Sequence, residues 1–155
     1  MTDILMSVKP PYVDMLISGC KTVEIRKRAV RAPAGARIWI YATSPRRQVV
    51  AFARLQGVAL EAPDEIWHAF GDRVGIDRWE FDAYVGDAAL VAALTLTEIT
   101  ELEVPLCARS ETPAFHPPQS YAFLRDDELL AALEARCSTE RPGVVASATI
   151  PRSNS

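Results

Sequence analysis

The sequence predicts a small α+β fold in which five or six β-strands form a barrel with short helices around it. Three observations predict it: strand-like apolar runs recur along the chain, the helical segments between them are short, and the two do not alternate as in a doubly wound sheet. With 155 residues, 49% hydrophobic and 24% charged, the chain has the size and composition of one globular domain.

The first three elements are a strand, a helix and a charged strand. Residues 4–8 form an apolar run that a proline pair closes, which predicts a buried strand. Apolar residues then recur at helical spacing from Pro11 to Leu16, and Gly19 suits a left-handed helix end. From Lys21 to Arg28 the pattern has period two, so charged side chains share one face of a strand.

The middle of the chain predicts a hairpin and two helices. Residues 38–43 and 48–58 are strand-like, and the basic loop 44–47 between them is short enough for a hairpin. An amphipathic segment follows over 62–70, with acidic residues in its first turn. A second helix is predicted from Asp77 as N-cap to Gly86 as its end.

The last third predicts one central strand and several short elements. The long apolar and β-branched run over 90–99 is typical of a central strand. Pro105 would confine any strand over 102–109 to an edge. A proline-rich loop, a short strand and a helix are predicted over 112–120, 121–124 and 126–136. We expect a single domain over residues 1–137 and a C-terminal tail over residues 138–155, where periodicity ends.

Composition argues against several protein classes. No run approaches the 18 or more apolar residues of a spanning helix, and the first residues lack the order of a signal peptide, so we expect a cytoplasmic protein without membrane contact. Cys20, Cys107 and Cys137 are odd in number and widely spaced, which favours neither a disulfide framework nor a zinc site. No cofactor is expected, and a divalent metal ion stays an open alternative.

Charge is distributed unevenly along the chain. Residues 1–54 carry a net charge of +7, whereas the whole chain carries −3. Such asymmetry indicates an anionic ligand bound by the first third of the chain. The alternative is that basic and acidic segments neutralise each other within the fold.

The most informative segment runs from Gly19 to Arg26, where a helix end leads directly into the charged strand. Lysine is scarce in this chain, so Lys21 would serve as a compact base or nucleophile rather than as one cation among many. Glu24 would form an ion pair with Arg26 on the same strand face and orient it toward a ligand. The alternative is a solvated strand face with ordinary surface ion pairs.

This segment has the signature G-x-K-x-x-E-x-R and resembles that of the ASCH domain, a member of the PUA-like group of folds together with EVE and YTH domains. The similarity continues through residues 40–45 and 117–120 and covers about residues 3–125. The four signature residues are Gly19, Lys21, Glu24 and Arg26.

The resemblance implies a PUA-like barrel with a cleft beside the first helix that binds RNA or modified nucleotides. Family members include RNA-binding regulators, ribonucleases and amidohydrolases that remove the acetyl group from N4-acetylcytidine. In the amidohydrolase branch the lysine is catalytic and a threonine stands where this chain has Glu24, which argues against deacetylation.

We therefore expect an RNA- or nucleotide-binding protein with a basic cleft and ribonuclease activity. The alternatives are an amidohydrolase acting on an acylated nucleoside, with Lys21 as nucleophile or base, and a non-enzymatic regulatory module; a homodimer is compatible with each. Tyr41 or Trp39 would stack a base, and Arg47 would act only electrostatically, because a guanidinium does not titrate. The candidate catalytic residues are Lys21, Glu24, Tyr41 and Ser120. The candidate nucleic-acid-binding residues are Lys9, Arg26, Arg28, Ser44, Arg46, Arg47 and Gln119.

Overall fold

The structure is a computed structural model that describes residues 1–125 and 127–137. Its centre is a six-stranded sheet in the order β2-β5-β4-β3-β1-β6. The strands are β1 (Asp3–Val8), β2 (Val23–Arg26), β3 (Arg37–Ala42), β4 (Gln48–Glu61), β5 (Val91–Leu106) and β6 (Tyr121–Leu124). The helices are α1 (Pro10–Ser18), α2 (Pro63–Phe70), α3 (Arg78–Val85), α4 (Ala108–Glu111) and α5 (128–137).

Strand β1 lies between β3 and β6 in the sheet. It pairs in parallel with β3, where Ser7 is the register partner of Tyr41, and antiparallel with β6. The predicted hairpin is confirmed, since β3 and β4 pair antiparallel. At the other end of the sheet, β2 pairs with the part of β5 from Ala92 to Thr95. The first and last described strands therefore meet at one end of the sheet.

The sheet curls into a half-barrel, which confirms the predicted α+β barrel fold. Its alternating residues divide the core: Ile4 and Met6 of β1 pack in one apolar cluster, whereas Leu5 packs in another together with Trp39 and α5. A third cluster forms where α2 and α3 cover β2 and β5 around the fully buried Phe81. No helix in the described part of the chain has the length and apolarity that a membrane span requires.

Most of the predicted elements are confirmed, with two differences. Strand β5 continues to Leu106, beyond the predicted end at residue 99. Pro105 is tolerated there because β2 pairs with β5 over residues 92–95, so the later part of β5 bonds to β4 on one side. The second difference is α4, which begins inside the segment 102–109 that was considered as a strand. Cys107 and Cys20 are exposed. The predicted tail over 138–155 lies outside the described residues.

Candidate functional site

The signature segment is positioned by the end of helix α1. Gly19 has a left-handed φ of 87°, and its N–H donates to Leu16 O, which ends the helix. The N–H of Lys21 then donates to Met15 O at 3.1 Å, turning the chain into β2. The alternation of β2 places Glu24 and Arg26 on the same face.

These residues form a buried chain of charged contacts. Glu24 contacts Lys21 through Oε1 at 3.3 Å and Arg26 through Oε2 at 2.7 Å. All three side chains are buried, so the predicted charged face exists but the alternative of a solvated face is wrong. Buried charges are tolerated only when they are paired and hydrogen-bonded, as they are here.

Lys21 is buried, and its amine has two polar partners. The residue is 4% exposed, and Nζ donates to Val74 O at 2.8 Å in addition to its contact with Glu24. Nζ also lies 5.4 Å from the centre of the Tyr12 ring. Gly75 has a φ of 80°, and a Cβ there would lie 3.0 Å from the Lys21 Cβ, so the loop after α2 packs closely on this lysine.

Arg26 connects β2 with the opposite end of the sheet. It donates to Ser7 O at 2.8 Å through NH2 and to Ser120 Oγ at 3.3 Å through NH1. Ser7 also binds the segment that contains Ser120, because its hydroxyl donates to Pro118 O at 2.6 Å. We call Lys21, Glu24, Arg26, Ser7 and Ser120 the seam, because these residues join the two ends of the half-barrel.

The seam leaves one donor unused. The buried Arg26 Nε has no hydrogen-bond partner among the described residues. A buried unpaired donor of this kind is unfavourable by about 1–3 kcal/mol. Its position beside Glu24 and Ser120 places this unsatisfied donor inside the seam.

A cleft of about 430 Å³ opens next to the seam, at the end of strand β3. Pro117 belongs to its wall, and three residues later Ser120 belongs to the seam, so the segment between them is shared by both. We call it the Tyr41 cleft. It is lined by Tyr41, Thr43, Ser44, Arg47, Cys107, Ala108, Arg109, Phe115 and Pro117.

Tyr41 lines this cleft, although the residue is only 4% exposed. Burial raises the pKa of Tyr41 above its ordinary value of 10.0, while the positive charges of Arg47 and Arg109 oppose that rise. The phenol is therefore protonated at neutral pH and serves as a hydrogen-bond or proton donor. Its ring packs edge-on against Phe115, with centroids 5.6 Å apart.

The two arginines of the cleft come from different loops. Arg47 is exposed and has a left-handed φ of 53°, a conformation that is unfavourable for a residue with a side chain. Arg109 is also exposed, and its Nε donates to Phe115 O at 3.3 Å. Both guanidiniums act on Tyr41 electrostatically, so a phosphate bound in the cleft would meet two positive charges and one neutral donor.

Cys107 adds a thiol to the same wall. Hydrogen bonds to Ser110 and Arg109 lower the pKa of the Cys107 thiol below its ordinary value, and the nearby charge of Arg109 acts in the same direction. The thiol is exposed to solvent. It is consequently the group in the cleft that is most accessible to alkylating reagents.

The remaining candidate residues are distributed around these two groups. Trp39 is fully buried and donates to Asp3, so the predicted base stacking by Trp39 is wrong. Arg46 lies 4.0 Å from Asp14 on α1. The basic first third does not form a single face, because several of its cations are buried in ion pairs. The exposed candidates outside the cleft lining are Lys9, Arg28, Arg46 and Gln119.

The structure gives no specific support for a bound metal. Within residues 1–125 and 127–137, no cluster of three or more histidine, cysteine, aspartate or glutamate side chains is arranged to hold an ion. A larger depression of about 650 Å³ lies beside Pro33, Phe123 and Glu134, and its lining contains none of the predicted site residues. Of the predicted site residues, Tyr41, Ser44 and Arg47 line the Tyr41 cleft.

Sequence reasoning missed Arg109, Cys107 and Phe115. They follow the part of the chain around Pro105 in which no periodic pattern identifies a face, and they reach Tyr41 because β5 continues to Leu106. The signal that would have found them is the cluster of a thiol and a cation directly after a strand end. Tyr41, Ser44 and Arg47 do line one cleft together.

This chain is similar to several known proteins. A family model described as a domain of unknown function (DUF365) matches residues 1–114. A curated protein of Zymomonas mobilis, named ASCH domain-containing ribonuclease, is 32% identical over 136 residues, which cover 83% of this chain and 92% of that protein.

Two crystal structures of an ASCH protein from Zymomonas mobilis have the same fold. A variant with tyrosine replaced by phenylalanine matches with a TM-score of 0.81 and 27% identity, covering 87% of this chain and 98% of that one. A variant with serine replaced by alanine matches with a TM-score of 0.79 and 27% identity, covering 86% and 94%.

Proposed function

This chain belongs to the ASCH domain family, and we propose that it binds single-stranded RNA in the Tyr41 cleft and hydrolyses the phosphodiester backbone there. The observation that carries the proposal is a protonated phenol between two exposed guanidiniums in a cleft of about 430 Å³. The name of the Zymomonas mobilis relative, a ribonuclease, supports the same reaction class.

The cleft supplies two of the three functions that RNA cleavage needs. The 2′-hydroxyl attacks the adjacent phosphorus, a 2′,3′-cyclic phosphate forms, and the bond to the 5′ oxygen breaks. Arg47 and Arg109 stabilise the negative charge on the non-bridging oxygens, and Tyr41 donates a proton to the leaving 5′ oxygen. The proton of the attacking 2′-hydroxyl passes to solvent.

The seam positions Ser120 for this reaction. Lys21 and Glu24 contact each other and do not line the Tyr41 cleft, so we assign them a positioning role in place of the predicted proton transfer. Through Arg26 they hold Ser120 beside the substrate, where its hydroxyl binds a phosphate oxygen or the 2′-hydroxyl. Tyrosine and serine are also the residue types replaced in the two Zymomonas mobilis variants.

A labelled single-stranded RNA tests the proposal, with products separated on a gel and their 3′ ends identified by mass spectrometry. We expect Tyr41→Phe to reduce cleavage by about 100-fold, the usual effect of losing one acid or oxyanion donor. Tyr121→Phe is the matched control, because Tyr121 lies on β6 and its hydroxyl accepts from Arg31 N. Equal cleavage by both variants would contradict the proposal and indicate a contaminating nuclease.

The same experiment separates the alternatives. Repeating the incubation with EDTA tests whether a divalent ion takes part. Salt-sensitive binding without cleavage would favour a non-enzymatic regulator. Release of acetate from N4-acetylcytidine that is abolished by both Lys21→Arg and Lys21→Ala would favour the amidohydrolase, because in that reaction the amine itself must react.

A further inference from the structure

An exposed aromatic residue lies beside the end of strand β2. Tyr84 on α3 is 42% exposed, and its hydroxyl donates to Ile25 O at 3.4 Å. The amine of Lys27 lies 5.4 Å from the centre of the Tyr84 ring. Arg28 follows and is also exposed. We call Tyr84, Lys27 and Arg28 the Tyr84 platform.

The platform is continuous with the seam. Lys27 directly follows Arg26, which donates to Ser120 Oγ, and Tyr84 bonds to the residue that precedes Arg26. The charges of Arg26 and Glu24 also act on the Tyr84 phenol. The Tyr41 cleft and the platform are therefore joined inside the protein by segment 117–120 and the buried Arg26.

We propose that the Tyr84 platform is a second RNA subsite, on which a base of the same strand stacks while Lys27 and Arg28 contact its phosphates. This inference rests on the proposed function, because it extends the substrate held in the Tyr41 cleft from one scissile linkage to a longer single strand. A cleft of about 430 Å³ has room for a small part of such a strand.

The composition of the platform is that of a single-strand binding surface. An aromatic ring offers a face to any base, and neighbouring cations follow the backbone without reading sequence. Tyr84 is held in place by its hydrogen bond to β2, whereas Lys27 is an exposed and flexible side chain that leaves the ring when a base arrives.

The same helix provides a matched control. Trp79 is 72% exposed, more than Tyr84. Lys27, which follows β2, contacts the Tyr84 ring, whereas no cation–ring contact is found for Trp79 among the described residues. If exposure of an aromatic ring were sufficient for RNA binding, Trp79 would contribute more than Tyr84.

The test measures binding of oligouridylate of eight nucleotides by fluorescence anisotropy in a Tyr41→Phe background, where turnover is slow. We expect Tyr84→Ala to weaken binding about tenfold, as stacking of one base does, and Tyr84→Phe and Trp79→Ala to change it less than twofold. In the same background Lys27→Gln should lower the slope of log affinity against log salt by about 0.7.

Cleavage of the dinucleotide UpU, in a protein that retains Tyr41, separates this proposal from the proposed function. UpU fills the Tyr41 cleft alone, so Tyr84→Ala should cleave it at the rate of the unsubstituted protein. Equal effects of Tyr84→Ala and Trp79→Ala on the longer RNA, or equal losses with both substrates, would overturn the platform. If no RNA is cleaved but Tyr84→Ala still weakens binding tenfold, hydrolysis fails and the platform stands.

Discussion

The seam and the Tyr41 cleft use the same kinds of side chain under opposite conditions. In the seam, Lys21 and Arg26 are buried and contact the carboxylate of Glu24. In the cleft, Arg47 and Arg109 are exposed and surround a neutral phenol. Both regions would read as basic in the sequence, yet only the second presents its charge to solvent.

The difference separates residues that serve the fold from residues that are available to a ligand. A buried cation must be neutralised and hydrogen-bonded by the protein itself, so its charge serves the fold. The charge of an exposed cation beside a neutral donor remains available to an anionic ligand. We therefore expect the seam to serve stability and the cleft to serve the proposed catalysis, so substitutions in each region should have different primary effects.

The largest expected effect is on the stability of the seam. Glu24→Gln removes the carboxylate shared by Lys21 and Arg26, and leaving buried cations uncompensated should lower the free energy of unfolding by about 3 kcal/mol. Urea denaturation followed by circular dichroism measures this change. Glu134→Gln is the control, because Glu134 is half exposed in its pair with Arg37, and we expect a loss below about 1 kcal/mol. Equal losses would show that the buried carboxylate of Glu24 stabilises the protein no more than the half-exposed carboxylate of Glu134.

The second effect is on catalysis in the cleft. Arg47→Gln should lower kcat/KM for RNA cleavage roughly 30-fold, about 2 kcal/mol of transition-state stabilisation, with little change in unfolding. The neighbouring Arg46→Gln, which faces Asp14, should produce a smaller loss that disappears at high substrate concentration. A large fall in kcat for Arg46→Gln would place the reacting phosphate elsewhere.

The third effect concerns the loop that covers Lys21. Gly75→Ala introduces a side chain at a φ of 80° and brings its Cβ to 3.0 Å from the Lys21 Cβ, which should destabilise the protein by about 2 kcal/mol. Gly35→Ala has the backbone penalty at a φ of 90° without a close neighbour, so about 1 kcal/mol is expected. Thermal unfolding compares the two. Identical shifts would show that packing on Lys21 contributes nothing.

The smallest effect is a shift in the reactivity of the cleft thiol. Because hydrogen bonds lower the pKa of Cys107, its alkylation by iodoacetamide should persist to lower pH than that of an ordinary cysteine, and Ser110→Ala should move the midpoint upward. Mass spectrometry of the modified peptide follows the reaction. Alkylation should also block RNA cleavage, whereas Cys107→Ser should be insensitive. Full activity after complete modification of Cys107 would show that the reaction does not take place in the Tyr41 cleft.

The local patterns of the chain predict its elements well. Alternation in β2 correctly placed Glu24 and Arg26 on one face, and Gly19 correctly ended α1. The burial of that face could not be predicted, because it depends on Ser120, which lies 94 residues beyond Arg26 in the sequence. Period two shows which side chains share a face and does not show what covers it.

The candidate site was predicted in part for the same reason. Tyr41, Ser44 and Arg47 were identified from one strand end, and they do share a cleft. Trp39 was misassigned because β3 is buried along its whole length and Trp39, unlike Tyr41 at the end of the strand, does not line the cleft. Arg109 and Cys107 were missed because a long β5, continued past residue 99, brings them to Tyr41.

The position of β1 between β3 and β6 has a kinetic consequence. The hydrogen bond from Ser7 to Pro118 joins residues 111 positions apart, and the one from Arg26 to Ser120 joins residues 94 positions apart. The seam therefore forms by closing very long chain loops. Contacts of such separation form late in folding, because the entropy of loop closure must be overcome before they stabilise anything. During synthesis Tyr41 and Arg47 precede Ser120, so the seam is complete only when β6 docks on β1. The RNA cleavage that we propose would therefore begin only after that step.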